Sequence, residues 1–297
     1  MHIFMDAIGL SQVRSRTDIE KLVQYILESP DEKYITEVEN GILLAEIRKN
    51  FAKDIGVTLV GEYDKEQNFR MSHYYPYLKG SLITTEEDIT INRKIDTDAF
   101  TGMCDDLRLG ISLIFYLRNP IAYLNFRRKQ LPFKPPVPIS LSALSIQGKI
   151  LLGNQEDPFT GESIKKWKTR RNSLLREAKT GNMEAINQLT IDDIDMYASI
   201  SRRLLHEDLY SIVSTSFIPY GSESDNYTVL GKIQSVETIT NSFTNERSYL
   251  ILLECNEIVF PLIINQKQLV GEPVPGRRFK GVIWLQGAIQ FPDTKIL

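Results

Sequence analysis

The stretch Gly271–Gly287 constrains the fold more than any other part of the chain, because it combines turn-forming residues with a strongly apolar strand. It reads GEPVPGRRFKGVIWLQG. Its two prolines and Gly276 predict a stiff turn. The apolar positions that follow indicate a strand: Phe279, Val282, Trp284 and Leu285. Gly281 and Gly287 break that strand, and such glycines mark bulges or close backbone approaches, as at the corners of a small closed barrel. We therefore expect glycine-bent strands that close around Trp284.

Residues 207–297 have the pattern of a small β domain. The candidate strands, in chain order, are Leu209–Ile218, Tyr227–Val236, Arg247–Cys255, Glu257–Ile264, Arg278–Leu285 and Ala288–Phe291. A short polar segment, Asn265–Leu269, predicts one helical turn. The last five of these strands, with the helical insertion before the fourth of them, match the element order of an OB-type barrel. The sequence thus predicts a small C-terminal β-barrel, with an OB-like arrangement as the specific hypothesis.

The chain begins with a pattern of one short strand and one helix. His2–Gly9 predicts the strand. Thr17, with Glu20 three residues later, has the spacing of a capping box, so the helix is expected to begin there. Apolar residues then recur at helical intervals until Pro30, which ends the helix.

Hairpin signals follow the helix. An Asn-Gly pair at residues 40–41 and a polar loop at Asp64–Asn68 each lie between alternating apolar runs, which predicts two hairpins. The run GISLIFYL, residues 110–117, is a buried element whose periodicity does not decide between helix and strand. Leu141–Leu152 reads as strand, turn at its Gln-Gly pair, and strand. Residues 1–152 are therefore expected to form an α+β domain with an antiparallel sheet.

Residues 153–206 predict a linker and a two-helix connector. The first helix is expected over Ser163–Lys179, with Gly181 just beyond its end, and the second from Thr190. The first helix is strongly basic and carries one acidic residue, Glu177. Its cations are Lys165, Lys166, Lys168, Arg170, Arg171, Arg176 and Lys179.

The composition excludes several classes of protein. A net charge of −3 gives the whole chain no electrostatic bias towards nucleic acid or anionic membranes. Two distant cysteines, Cys104 and Cys255, permit neither a disulfide framework nor a four-cysteine zinc site. The N-terminus has no signal-peptide pattern, and no apolar run reaches the ~20 residues that a membrane span needs. We expect a soluble, cytoplasmic protein that holds no cofactor.

Six short segments of the sequence together resemble those of a known protein family. They are AIGL (Ala7–Leu10), CDDLRLGISLIFYL (Cys104–Leu117), LSALSIQGKILL (Leu141–Leu152), SISRR (Ser199–Arg203), SFIPYG (Ser216–Gly221) and GRRFKGVIWLQG (Gly276–Gly287). The chain resembles, over nearly its full length, an uncharacterised family of Gram-positive anaerobic bacteria, known as a domain of unknown function. The resemblance implies a bacterial, cytosolic protein without a signal sequence. It implies no activity and no catalytic or binding residues.

Catalytic and metal motifs are weakly represented. His2, His73 and His206 stand apart from one another and from cysteines, so no metal site is predicted. The sequence contains no nucleophile elbow, P-loop or dinucleotide fingerprint. Asp105 and Asp106, next to Arg108, form the most enzyme-like cluster, because one of two adjacent carboxylates beside an apolar run can have a raised pKa.

Each of these candidates has a structural alternative. Asp105, Asp106 and Arg108 are also typical of a turn with a local ion pair. The aromatic run His73–Tyr77 can line a ligand groove, or it can alternate its rings into the core of a sheet. The second interpretation of the aromatic run needs no ligand.

Two basic clusters are candidate binding sites. One is the connector helix, through Lys165, Lys168 and Arg171; its alternative is a solvated outer face over an apolar seam. The other lies in the barrel: Arg277, Arg278 and Lys280, beside Trp284. Basic and aromatic residues on one face of a barrel can hold a single nucleic-acid strand.

Three functions follow from these observations, in order of preference. The first is a non-enzymatic binding or scaffold protein that contacts a protein partner through the barrel and the basic helix. The second is nucleic-acid binding through the same surfaces. The third is an enzyme with a pocket near Asp105, Asp106 and His73, which requires these side chains to converge. The sequence leaves the oligomeric state open.

Overall fold

The computed structural model describes residues 2–38, 41–94, 99–106, 108–129, 136–151, 162–204 and 215–291. For 162–168 and 196–204 it describes the backbone alone. The predicted linker at 153–161 and the proposed strand start at 209–214 lie outside the described residues, as does His206.

The N-terminal part contains a 3-10 helix, one α-helix and a four-stranded sheet. The 3-10 helix covers Ile3–Ile8, and α1 covers Arg16–Glu28. The strands are β1 (Glu32–Glu37), β2 (Leu43–Ala52), β3 (Ile55–Tyr63) and β4 (Phe69–Leu78). They pair in chain order and antiparallel, which confirms the predicted sheet and both hairpins.

Two predictions for the N-terminus are wrong. His2–Gly9 forms a 3-10 helix rather than a strand, because Gly9 adopts φ +80° and its N–H donates to the Asp6 carbonyl. The run is buried on consecutive residues, so no period-two pattern separates its faces. Helix α1 is capped by Ser15, whose hydroxyl accepts from the Asp18 N–H in a capping box, instead of by Thr17 with Glu20.

The remaining strands belong to one large sheet. They are β5 (Thr85–Glu87), β6 (Ile89–Arg93), β7 (Phe100–Asp106), β8 (Ile111–Leu117), β9 (Val137–Leu151), β10 (Ser216–Pro219), β11 (Asn226–Thr240), β12 (Arg247–Cys255), β13 (Ile258–Asn265), β14 (Leu269–Val270) and β15 (Arg278–Ile289). The undecided run at 110–117 is therefore a strand. Helix α2 (Pro120–Arg128) follows β8, and a 3-10 turn (Gln266–Gln268) follows β13, where a helical turn was expected.

Five of these strands close into a barrel. Around the ring the neighbours are β11, β12, β13, β9 and β15, and β15 pairs with β11 to close it. All pairs are antiparallel except β13 with β9. Strands β8, β7 and β6 extend the sheet from β15. The chain is thus an α+β protein with an N-terminal antiparallel sheet and a closed five-stranded barrel.

The glycines of the barrel strands do not break them. Strand β9 runs without a turn through its Gln-Gly pair, and β15 is continuous across Gly281 and Gly287, contrary to both predictions. A bulge at Ile146, where β9 shifts register against β15, is the irregularity that the glycines suggested. The glycines themselves leave room for rings: Phe279 lies over Gly281, and Phe115 lies over Gly287.

The two connector helices are α3 (Glu162–Lys179) and α4 (Met183–Leu204). Helix α3 agrees with the prediction, including a left-handed Gly181 beyond its end. Helix α4 begins seven residues before the predicted Thr190. The Asn182 side chain caps it by accepting from the N–H groups of Glu184 and Ala185, and this cap fixes the earlier start.

The buried apolar residues in the described part of the chain form two cores. One fills the barrel and includes Phe260, Phe279 and Leu285. The other lies between the N-terminal sheet and the outer wall of the barrel, where Phe4 and Tyr75 meet Trp284. Trp284 therefore lies outside the barrel, and the expectation that the strands close around it is wrong. The division at residues 152 and 206 stays a prediction, and β9 contributes one wall of the barrel.

Candidate functional site

The clearest charged surface is a basic strip on the outer wall of the barrel. It consists of Lys149 on β9, Lys232 on β11, and Arg278 and Lys280 on β15. Strand alternation places these four side chains outside, because Phe279 and Val229 on the same strands point into the barrel core. Lys149 and Lys232 are exposed, and Arg278 and Lys280 are half-buried. Three neighbouring strands thus present one basic strip.

The strand register sets like charges opposite each other in this strip. Lys280 pairs with Lys149 across β15 and β9, and Arg278 pairs with Lys232 across β15 and β11. Directly opposed like charges destabilise a sheet by up to about 1 kcal/mol per pair. Glu254, opposite Lys232 on β12, marks the acidic edge of the strip and accepts a hydrogen bond from Gln234.

A shallow groove of about 350 Å³ runs along the strip. Its floor is backbone at Gly148 and Gly281, which pair across β9 and β15. Both positions must lack a side chain, because a Cβ at either would come within 2.5 Å of the Phe279 ring. The two glycines therefore make room for the Phe279 ring inside the barrel, while Lys149 and Lys280 line the groove on the outer side of the same strands.

Two residues predicted to join this surface do not belong to it. Arg277 precedes β15 and pairs with Glu272, with 3.7 Å between Nη1 and Oε2. Trp284 is only 4% exposed and packs against Phe4 and Tyr116. The face that combines basic residues with an aromatic platform is therefore not formed.

The basic connector helix α3 contributes differently from the prediction. Arg171 forms an ion pair with Asp193 of α4, with 2.7 Å between nitrogen and oxygen, so part of its charge is used within the helical pair. The side chains of Lys165 and Lys168 lie outside the part of the structure that is described. Asn172 docks the helix on the body by donating to the Glu257 carboxylate.

The structure separates the three residues of the enzyme hypothesis. Asp106 is buried and binds the Arg108 guanidinium through both carboxylate oxygens. Burial alone would raise the pKa of Asp106, but Arg108 holds it below its ordinary value. Asp105 points to the opposite, exposed side of β7, where Ser112 donates to it. A structural ion pair, which was the alternative, accounts for Asp106 and Arg108.

His73, on β4 of the N-terminal sheet, contacts the other end of β8. Its Nε2 is 3.2 Å from the Tyr116 hydroxyl, whereas Asp105 and Asp106 pair with the opposite end of β8, roughly 15 Å away at the rise of a strand. Tyr75 and Tyr77 beside it are buried, as the core interpretation of this aromatic run predicts. The three side chains therefore do not share a pocket.

A second, polar cleft of about 380 Å³ separates α3 from the edge of the large sheet. Arg108, Asn172, Arg176 and Glu87 are among its lining residues. Burial raises the pKa of Glu87 above its ordinary value. No local pattern in the sequence indicates this cleft, since its walls come from three segments that only the fold brings together.

The described residues contain neither a reactive thiol nor a cluster of metal ligands. Cys104 and Cys255 are buried, and burial raises the pKa of each thiol to about 12, which makes both unreactive at neutral pH. Within the described ranges, no group of three histidine, cysteine or carboxylate side chains is placed to hold a metal ion.

Comparison with known proteins identifies the family. A family model described as "Domain of unknown function, E. rectale Gene description (DUF3881)" matches residues 5–287. The chain belongs to this family. The match spans both the N-terminal sheet and the barrel, as the resemblance over nearly the full length implied. No match to a curated protein or to a solved structure was found. In the part of the chain that is described, no helix has the length and apolar character needed to cross a membrane.

Proposed function

We propose that this protein is a non-enzymatic, cytoplasmic binding protein that holds an acidic segment of a protein partner on the basic strip of the barrel. The observation that carries the proposal is the register that opposes Lys149 to Lys280 and Lys232 to Arg278. Four basic side chains on three neighbouring strands would attract an acidic segment of a partner. The groove between the lysines provides a place where an extended segment can lie.

We further propose that the barrel is of the OB type with a permuted chain order. Five strands, one parallel pair and a helical turn after β13 support this assignment. In this arrangement β9 comes first in the chain but occupies the position of a last strand. The N-terminal 3-10 helix already packs on β13 and β9, which leaves the side formed by β15 and β11 for a partner.

Nucleic-acid binding is the alternative for the same strip. Its cations suit phosphates as well as carboxylates. The burial of Trp284 weighs against it, because sequence-independent binding of single strands relies on exposed rings on which the bases stack.

One binding experiment separates the two proposals. Fluorescence anisotropy at low salt would compare a labelled oligoglutamate peptide with a labelled single-stranded oligonucleotide of equal length. We expect the peptide to bind more tightly, and the double variant Lys149→Glu/Lys280→Glu to weaken its binding about tenfold, roughly 1.4 kcal/mol. The double variant Lys53→Glu/Lys65→Glu is the matched control, since it reverses two exposed lysines of the N-terminal sheet.

The outcomes are distinct. Tighter binding of the oligonucleotide, lost in the barrel variant but retained in the control, would replace the protein partner with nucleic acid. Absence of binding to either probe at low salt would refute both proposals. Equal losses in both variants would show that net charge, rather than the strip, governs association.

A further inference from the structure

A buried layer of charged and hydroxyl groups lies between the N-terminal sheet and the large sheet. Glu46 and Arg48 of β2 and Tyr75 of β4 meet Arg118, the residue that follows β8. All four are almost fully buried: Arg48 is 8% exposed, Arg118 is 4% exposed, and the other two are 1% exposed. Buried charges of this kind normally pair with one another.

Backbone hydrogen bonds fix Arg118 in this layer. Its N–H donates to the Gly287 carbonyl at 2.8 Å. Its carbonyl accepts from the Arg48 guanidinium, and from the Tyr75 hydroxyl at 3.5 Å. The polypeptide therefore has little freedom to carry the Arg118 side chain out to solvent.

Two carboxylates near this layer already have partners, and a third, the exposed Asp54, acts on Arg118 through its charge without forming an ion pair with it. Glu46 pairs with Arg48, with 3.3 Å between oxygen and nitrogen. Glu32, 3.8 Å from the same guanidinium, binds Lys79. No ion pair joins Arg118 to any carboxylate among the described residues, and its Nε–H has no acceptor there. The Nε–H of Arg48 is buried without an acceptor as well.

Arg118 nevertheless remains charged at neutral pH. Burial, and then the nearby positive charge of Arg48, lower its pKa to about 10. Each of the two guanidinium groups thus keeps a buried Nε–H without an acceptor among the described residues, which is an unfavourable arrangement unless another acceptor is added.

We propose that Arg118, together with Arg48, binds a small inorganic anion of about the size of chloride between the N-terminal sheet and the barrel. The guanidinium N–H groups are the donors that such an ion needs. The size follows from the surroundings: Tyr75, Tyr77 and Tyr116 are between 1% and 6% exposed and close the layer with packed rings.

Thermal unfolding at constant ionic strength tests this proposal. Replacing gluconate by chloride should raise the Tm of the wild-type protein by about 2–4 °C, because the ion binds the folded state alone. The variant Arg118→Met should lose this increment. The matched control is Arg16→Met, whose side chain is 93% exposed, and it should keep the increment.

A second measurement covers the case in which Arg118→Met does not fold. Crystals of the wild-type protein grown in bromide should show an anomalous peak within hydrogen-bonding distance of the Arg118 guanidinium. Equal chloride increments in all three proteins, or a crystal with no bromide at Arg118, would overturn the proposal. These readouts do not involve the basic strip, so they are independent of the proposed function.

Discussion

Single residues determine which side chains the barrel core can accommodate, and Phe279 is the clearest case. Its ring occupies the space that side chains at positions 148 and 281 would need. A Cβ at 148 would lie 2.4 Å from Phe279 Cε2, and one at 281 would lie 2.5 Å from Cζ and 2.6 Å from the Gln147 carbonyl oxygen. Backbone cannot move as a flexible side chain can, so position 281 is the more constrained of the two.

Substitution of these glycines should therefore destabilise the protein. We expect Gly148→Ala and Gly281→Ala each to lower the free energy of unfolding by about 1–3 kcal/mol, the usual cost of overpacking a core. Urea unfolding measures the change. Gln147→Ala, on the exposed side of the same strand, is the control and should change it by about 0.5 kcal/mol or less. The double variant Phe279→Leu/Gly148→Ala should lose less stability than the sum of its two single variants, because position 148 meets only side-chain atoms, and additive losses would contradict the steric explanation.

At the scale of elements, sequence patterns correctly predict the hairpins and helices that form between residues close together in the chain. The hairpins of the N-terminal sheet follow from an Asn-Gly pair and a polar loop, and α3 follows from its periodicity and Gly181. The start of α1 shows the limit of such signals. Two overlapping capping patterns, at Ser15 and Thr17, fit the sequence, and only the hydrogen bond from the Asp18 N–H selects Ser15.

The two capping patterns can be distinguished by mutation. Ser15→Ala should lower the free energy of unfolding by about 1 kcal/mol, because it leaves the Asp18 N–H without its acceptor. Thr17→Ala, two residues further along the exposed first turn, should change it by about 0.5 kcal/mol or less. Chemical denaturation of both variants measures the difference. A larger loss from Thr17→Ala would mean that the helix begins later than described.

Elements whose environment comes from distant residues could not be predicted. The Gln-Gly pair at 147–148 has the composition of a turn, yet Gly148 is there to admit Phe279 from a strand that lies far along the chain. The same reason explains the partial prediction of the site. Arg278 and Lys280 were found because they follow a visible turn, whereas Lys149 and Lys232 become part of the strip only through the strand register.

At the scale of the whole molecule, closure of the barrel joins the two halves of the chain. Strand β9 precedes the connector helices, and the other four barrel strands follow them. Without β9, both β13 and β15 would lose a neighbour and expose unpaired edges. Packing of Trp284 against Phe4 and Tyr75 adds a second connection between the halves.

This arrangement predicts how fragments behave. The segment 207–297, expressed alone, should show no cooperative thermal transition, because the barrel would lack one of its walls. Mixing it with the segment 1–206 should restore a cooperative transition, provided the two associate. Circular dichroism in the near ultraviolet, which reports fixed packing around Trp284, is the measurement. A cooperative transition of 207–297 alone would show that four strands suffice for this unit.

The position of β9 also has a consequence during synthesis. Leu285 pairs with Ala143, a residue made about 140 positions earlier. At ribosomal rates of roughly 5–20 residues per second, the nascent chain would wait roughly 7–30 s between the two. For most of that interval only the first residues of this long apolar strand have a neighbour, β5, and the rest is open to pairing with other growing polypeptides. Efficient production of this protein would thus depend on shielding β9 until the final strand leaves the exit tunnel.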